Sequence, residues 1–456
     1  MSEFERGMPA FDEKDFIFLA VSLPDEINYY KYRGDFAGEI EAIKKYRRGK
    51  ISRAMDKRLQ IELIIAREMT RNYNTGRDEL LAEVREDWPE FTGEQLDRLI
   101  ADGYADYILK EGGMRFSNAA AANIIKCAAP AVPGSNGSKE ADFRRRGMII
   151  AREKGYRAAR IAVSLKFEVR RPAQRNGRVI RVHLPYPAIT PEQSDVRLDC
   201  STHRFKISDA EHRTAFTEAV YTPGDVFGID YSYTIRVPYF DPDPALAKPA
   251  QGIGFVGEEY PHVRFTPLLE MTAVEIAGKE RNPLILARRA YDFVTKNVVY
   301  SYMRHYLLID NIPEYALLNR RGDCGVQALL FITLCRAMGI PARWQSGCHV
   351  TPWGVGSHDW AQFYVAPWGW MYADPSFGGG ALRRGDTEGW NWYFGNLDVC
   401  RQINCTGFYR PFEPEKKFMR CDPYDNQTGE AEYDSVGLGF GETETDREVI
   451  AFEELP

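Results

Sequence analysis

The chain has 456 residues, 44% hydrophobic and 27% charged, with a formal net charge of -6 at pH 7. The length suits roughly two to four domains, the apolar share excludes wholesale disorder, and the mildly acidic balance offers no basic face for nucleic acid. No stretch approaches the ~20 apolar residues that cross a bilayer. Residues 16–21 are apolar but follow Glu13 and Asp15 and precede no small-residue cleavage pattern, so a secretory signal is not expected. Eight cysteines without a CxxC pair suit a reducing cytoplasm better than a disulfide framework.

In chain order, residues 1–127 read as a mainly helical region, with the charged amphipathic run 55–69 at its centre. Within it, the helical run 93–100 followed by 107–109 and 114–116 reads as a helix leading to a small wing-like hairpin. Its acidic loading points to a packing or substrate-gating role and away from DNA. Residues 128–141 hold the chain's clearest linker, Pro130, Pro133, Gly134, Ser135 and Gly137 among them. From 142 to 245 the pattern is β-rich. Residues 162–169 and 227–237 alternate and 179–184 form a short apolar run, as in an antiparallel sheet or sandwich. Residues 246–456 then read as a catalytic domain with a C-terminal extension, giving an α+β protein overall.

The functional centre of that last region is Arg321-Gly322-Asp323-Cys324-Gly325 ahead of an apolar helical run. Val326, Leu329, Leu330, Thr333, Leu334, Ala337 and Met338 recur at the spacing of one buried face, and Gly339 and Pro341 end the run. Cys324 therefore opens a helix, where unpaired amides and the positive end of the dipole favour a thiolate. Asp323 suits an N-cap, yet its negative charge opposes that thiolate. Downstream, residues 357–365 and 370–375 read as a hairpin turning near Pro367. Asp374 then lies across from Trp360 and diagonally beside His358 on one face. These are the parts of a nucleophile, base and orienter: Cys324, His358 and Asp374. The bland alternatives are a core thiol and a turn aspartate before Pro375. Cys335, Cys348 and Cys127 fit the bland reading; Cys324, ahead of the helix body, does not.

The segment Arg321-Gly322-Asp323-Cys324 through Leu334-Cys335-Arg336-Ala337-Met338-Gly339-Ile340-Pro341-Ala342-Arg343 resembles the core signature of the transglutaminase-like superfamily. The resemblance runs from about residue 280 to 380. It includes a preceding helix with Asn282 as cap, Pro283 in its first turn, and Ala287, Ala290, Tyr291, Val294 and Val298 on one face. It implies a papain-like core, with Cys324 as nucleophile, His358 as base and Asp374 as orienter. It also makes Tyr300 or Tyr302 a candidate second oxyanion donor. More loosely, residues 181–187 resemble a segment of the β domain that often precedes this core in bacterial members.

The implied activity is cysteine-dependent amide hydrolysis by a peptidase or amidase through a thioester. Acyl transfer to an amine, or a non-catalytic binding protein that keeps the fold, stands as the alternative. A peptide or protein substrate is expected, with no nucleic acid, membrane, cofactor or metal, and the sequence leaves the oligomeric state unspecified. His183, His203, His212, His262 and His305 lack metal-site spacing, and Cys400, Cys405 and Cys421 lack that of a zinc centre. His349 is a rival to His358, but its neighbour Cys348 should point to the opposite strand face. Residues 390–398 would line a groove or fill core equally well. Asp422, Asp425, Asn426 and Glu430 lack the spacing of a calcium loop, so a solvated terminal loop is expected there.

Overall fold

A computed structural model describes residues 13–456 except 111, 129–136, 251, 302 and 423. The chain is α+β. Helices Asp25–Tyr32, Phe36–Tyr46, Arg53–Asn72, Arg77–Asp87, Gly93–Ala101 and Ala120–Ala128 make up most of the N-terminal part. Ser52 caps the longest of these by accepting the Met55 N–H at 3.2 Å. The hairpin after residue 101 is present as Tyr107–Lys110 against Gly113–Ser117. This part docks on the loop that leads to the Cys324 helix: Arg304 pairs with Asp106 at 2.7 Å, and Asn123 Nδ2 donates to Ser301 Oγ at 2.9 Å. Most of the expected linker lies outside the described residues, and Gly137–Lys154 is helical.

Two antiparallel sheets follow. In one, Tyr156–Val169 pairs with Val226–Pro238, and Gln193–Ser201 lies beyond. Alternation of apolar residues drives this pairing: Ile161, Val163, Leu165 and Phe167 are wholly buried, while the residues between them are more exposed. The other sheet is built on Val179–Pro185 and Thr214–Val220. The C-terminal segment returns to both: Glu430–Tyr433 pairs with Val179–Pro185, and Thr443–Leu455 pairs with residues 158–169 of Tyr156–Val169. A solvated terminal loop is therefore not what the chain forms. The Glu and Thr-rich strand 443–455 exposes one face and lies at a sheet edge, so its apolar content is too low to mark it as a strand by sequence.

The third sheet carries the site. Its strands lie in the order Phe394–Gly395, Gly369–Ala373, Gly354–Val365, Ala342–Thr351, Arg401–Cys405, with antiparallel neighbours throughout. The helix Cys324–Ala337 packs on its central strand, and Phe331 meets Phe363 edge-on at 5.8 Å. From the sandwich, Glu192 reaches the opposite face. It accepts hydrogen bonds from Gln362 Nε2 at 2.9 Å and Tyr372 Oη at 2.7 Å, so both faces of the central strand are covered. Among the described residues, no helix is long and apolar enough to cross a membrane.

Candidate active site

The helix Cys324–Ala337 begins where its sequence says it should. Asp323 is the N-cap, accepting the Val326 N–H at 3.1 Å, and Cys324 is the first helical residue. At the far end Gly339 has φ +78°, and Ile340 N–H donates to Cys335 O at 2.9 Å, closing the last turn. Gly325 is required by close packing: a Cβ there would lie 2.1 Å from Tyr306 Oη and 2.9 Å from the Trp344 ring. An earlier helix, Pro283–Asn297, is capped by Asn282, which accepts the Leu284 N–H at 3.0 Å, and it buries Ala287, Ala290, Tyr291 and Val294 completely.

The central strand divides the polar groups between its two faces. His358 pairs across to Gly347 and Asp359 to Ser346, and successive side chains point to opposite faces. Ala361 lies opposite Ala373, so one further step sets Asp374 opposite Trp360, diagonally beside His358. His358 Nε2 is 2.7 Å from Asp374 Oδ2, and Asp374 Oδ1 accepts the Phe377 N–H at 2.9 Å as the cap of the next helix. Both groups are buried. Burial lowers the basicity of His358, Asp374 raises it and Arg401 lowers it again, for a net reduction. Burial acts to raise the Asp374 pKa, but His358, Arg401 and the Phe377 N–H outweigh it and hold the carboxyl ionised.

The Cys324 thiol makes its hydrogen bond to the other face. Sγ lies 3.4 Å from Asp359 Oδ2, and among the described residues no hydrogen bond joins it to His358. Burial is the main force that keeps the thiol protonated, with Asp359 and Asp323 adding to it. Asp323 is itself raised to about 6, chiefly by burial, although Tyr306 Oη donates to it at 2.5 Å. The thiol at rest is therefore neutral, and the helix end alone does not ionise it.

Several residues of this arrangement had no sequence signal. Gln427 Nε2 donates to Asp359 Oδ1 at 2.7 Å, and Ser346 Oγ donates to Asp425 Oδ1 at 2.8 Å. The Asp359 and Asp425 carboxyls hydrogen-bond to each other, and both are raised above the ordinary carboxylate range, burial first. Asp425, Asn426 and Glu430 are buried, so the segment expected to be a solvated loop instead packs behind the thiol. Glu430 there is neutralised by Lys416 at 2.8 Å and Arg420 at 3.0 Å. Asp359 stood beside His358, and Asp425 was read only as part of a solvated loop; the contacts of Gln427, Ser346 and Asp425 join turns distant in the chain.

Tyr300, one of two candidate oxyanion donors, pairs with Gly322, two residues ahead of Cys324. Tyr302 lies outside the described residues. His349 lies on the His358 face, with ring centroids 6.3 Å apart, while Cys348 points away toward Arg447 at 3.4 Å. His349, Asp398 and Cys400 have ligand atoms within 4.8 Å of one another. The Asp398 carboxylate already accepts from Tyr393 Oη at 2.9 Å and from Cys400 N–H at 2.9 Å, and it faces Arg401 at 3.6 Å. A guanidinium at that distance opposes a cation, so the donor set does not fit a metal ion. Cys405 and Cys421 are not near it; each bonds a local carbonyl, Gly407 O and Leu438 O. Of the aromatic segment, Trp392 and Phe394 line a cavity of about 360 Å³ with Arg152 and Arg288, whereas Tyr393 fills core.

No curated protein matches the chain. Among solved structures it is similar to a "Putative Cysteine Protease from Cytophaga hutchinsonii", at 14% identity over 66% of this chain and 90% of that one, with a TM-score of 0.37. It is also similar to the periplasmic domain of TgpA from Pseudomonas aeruginosa, at 15% identity over 51% and 92% of the two chains, with a TM-score of 0.27. Residues 270–375 match the model of the transglutaminase-like superfamily, a span that takes in Cys324, His358 and Asp374. Residues 270–375 thus form a transglutaminase-like core.

Proposed function

We propose that the protein is a cysteine-dependent amide hydrolase, a peptidase or amidase, acting on a peptide or protein. The observation that carries this is the buried His358–Asp374 hydrogen bond of 2.7 Å on a strand whose next residue holds the thiol at a helix N-terminus. In this reading the Cys324 side chain first rotates away from Asp359 to the His358 side of the strand, and its proton then passes to Nδ1 of His358, the nitrogen that Asp374 does not occupy. Cys324 then attacks the amide carbon. The oxyanion is held by the Cys324 backbone N–H, with Tyr300 as the candidate second donor, and His358 returns the proton to the leaving amine. A thioester remains, and water resolves it. Thiol, imidazole and carboxylate carry each step, so the reading invokes no cofactor. A working thiol also needs reducing conditions, which agrees with eight free cysteines and with the expected cytoplasmic location.

A peptide library offered with and without a primary amine tests this. Cleaved peptides with unchanged products when amine is added are expected. Incorporation of the amine with release of ammonia would move the assignment to acyl transfer, and no turnover of any amide would point to a binding protein.

A further inference from the structure

Arg401 is the one guanidinium that touches the His358–Asp374 pair among the described residues, and no sequence feature pointed to it. It opens the strand Arg401–Cys405, is wholly buried, and places Nη2 2.8 Å from Asp374 Oδ2, the same oxygen that His358 uses. It also lies 3.6 Å from Asp398 Oδ2, and its guanidinium carbon sits 4.6 Å from the centre of the Phe377 ring. Phe377 in turn stacks on His358 at 4.3 Å. The Nε and Nη1 groups of Arg401 are buried with no hydrogen-bond partner among the described residues. A buried cation with two idle donors is costly to hold for packing alone.

The charge count shows what the cation does. His358 faces Asp374 from the turn into Pro375–Arg383, Asp398 and Arg401 from the edge strand and its approach, and His349 from Ala342–Thr351. Asp359 and Cys324 stand on the opposite strand face. Without Arg401, two buried carboxylates would confront two imidazoles, and an imidazole would take a proton at rest to balance them. A protonated His358 accepts nothing from a thiol. Arg401 offsets one of the two negative charges, and burial of the ring opposes protonation against the other, so the imidazole stays free to receive the proton when it is needed.

We propose that Arg401 is a positioning residue of this site, holding Asp374 in place while its guanidinium offsets the carboxylate charge, so that His358 rests as a neutral base. This rests on the reading of His358 as the base. The test uses Arg401→Gln, Arg401→Lys and Asp398→Asn in the full chain, with two readouts: the pH dependence of kcat/KM on a cleaved peptide, and the NMR titration of the His358 ring. In Arg401→Gln the acid limb and the ring titration should both move up by roughly one pH unit or more, because a cation has been lost. Arg401→Lys should restore most of that shift. Asp398→Asn, which removes a carboxylate, should move both the other way. A uniformly lower rate with an unmoved limb and ring titration would reduce Arg401 to a packing role and overturn the proposal. If Arg401→Gln does not fold, an unmoved ring titration in Asp398→Asn overturns it equally. Shifts of the ring titration in a protein that turns over no amide would sink the hydrolase reading and leave this inference standing.

Discussion

The two faces of the strand Gly354–Val365 solve one problem in opposite ways. On the His358 face the buried acids Asp374 and Asp398 are met by a guanidinium and an imidazole, and both stay ionised. On the thiol face Asp323, Asp359 and Asp425 gather near Cys324, their carboxyls met by protons and neutral donors while the Arg420 guanidinium reaches the Asp425 main-chain oxygen, and all three are raised. One face stores charge. The other stores protons beside the thiol, and in the proposed mechanism this leaves ionisation of Cys324 to depend on the imidazole across the strand.

Removing either side of that exchange should have the largest effect. Cys324→Ala and His358→Ala are each expected to lower turnover by at least ~10³-fold, and by similar amounts, since the two act as a unit. A His358→Ala enzyme that kept a tenth of its rate would show that the thiol is ionised from its own face. Asp374→Asn should cost roughly 10²–10⁴-fold in kcat, because an amide neither fixes the tautomer nor stabilises the imidazolium. Steady-state kinetics on one peptide decides both.

The proton-storing face makes a prediction in stability. A carboxyl raised in the folded state binds its proton more tightly there than in the unfolded chain. Its contribution is therefore full below about pH 4, the unfolded value, and fades as pH rises through the folded one. Asp359→Asn keeps a donor in place of the shared proton and abolishes this loss. The variant should match the parent near pH 4 and be the more stable by on the order of 1–3 kcal/mol at alkaline pH in urea titrations. A difference that shrinks with pH would mean that Asp359 is ionised when folded. The smallest effect is expected at Ser346, whose hydroxyl donates to Asp425 at 2.8 Å. Ser346→Ala should cost about 1–2 kcal/mol, and more at high pH, where the acid it serves is charged.

Local patterns made the thiol helix legible from sequence. Asp323, Cys324, Gly339 and Asn282 occupy the cap, first-turn and stop positions that their side chains favour, and burial of one apolar face fixes the rest. The hairpin was legible too, because period-two alternation and a turn near Pro367 determine which residues lie diagonally across. Arg401, Asp425 and Gln427 were not, since each meets the site only through a strand or turn distant in sequence. The C-terminal strand was missed for a related reason: Thr443–Leu455 is held by backbone pairing to Tyr156–Val169, which a charged, alternating run does not announce. Asp359 stood beside His358 without being read as part of the site, although alternation places it on the other face. What the pattern lacked was the position of the thiol relative to that face.

Trapping the acyl-enzyme tests the account most directly. A peptide amide mixed with the protein and quenched in acid should leave a mass adduct on the tryptic peptide that contains Cys324. The adduct should disappear on treatment with hydroxylamine and be absent from Cys324→Ala and His358→Ala. Turnover of the same peptide by Cys324→Ala, or an adduct on any other residue, would contradict it.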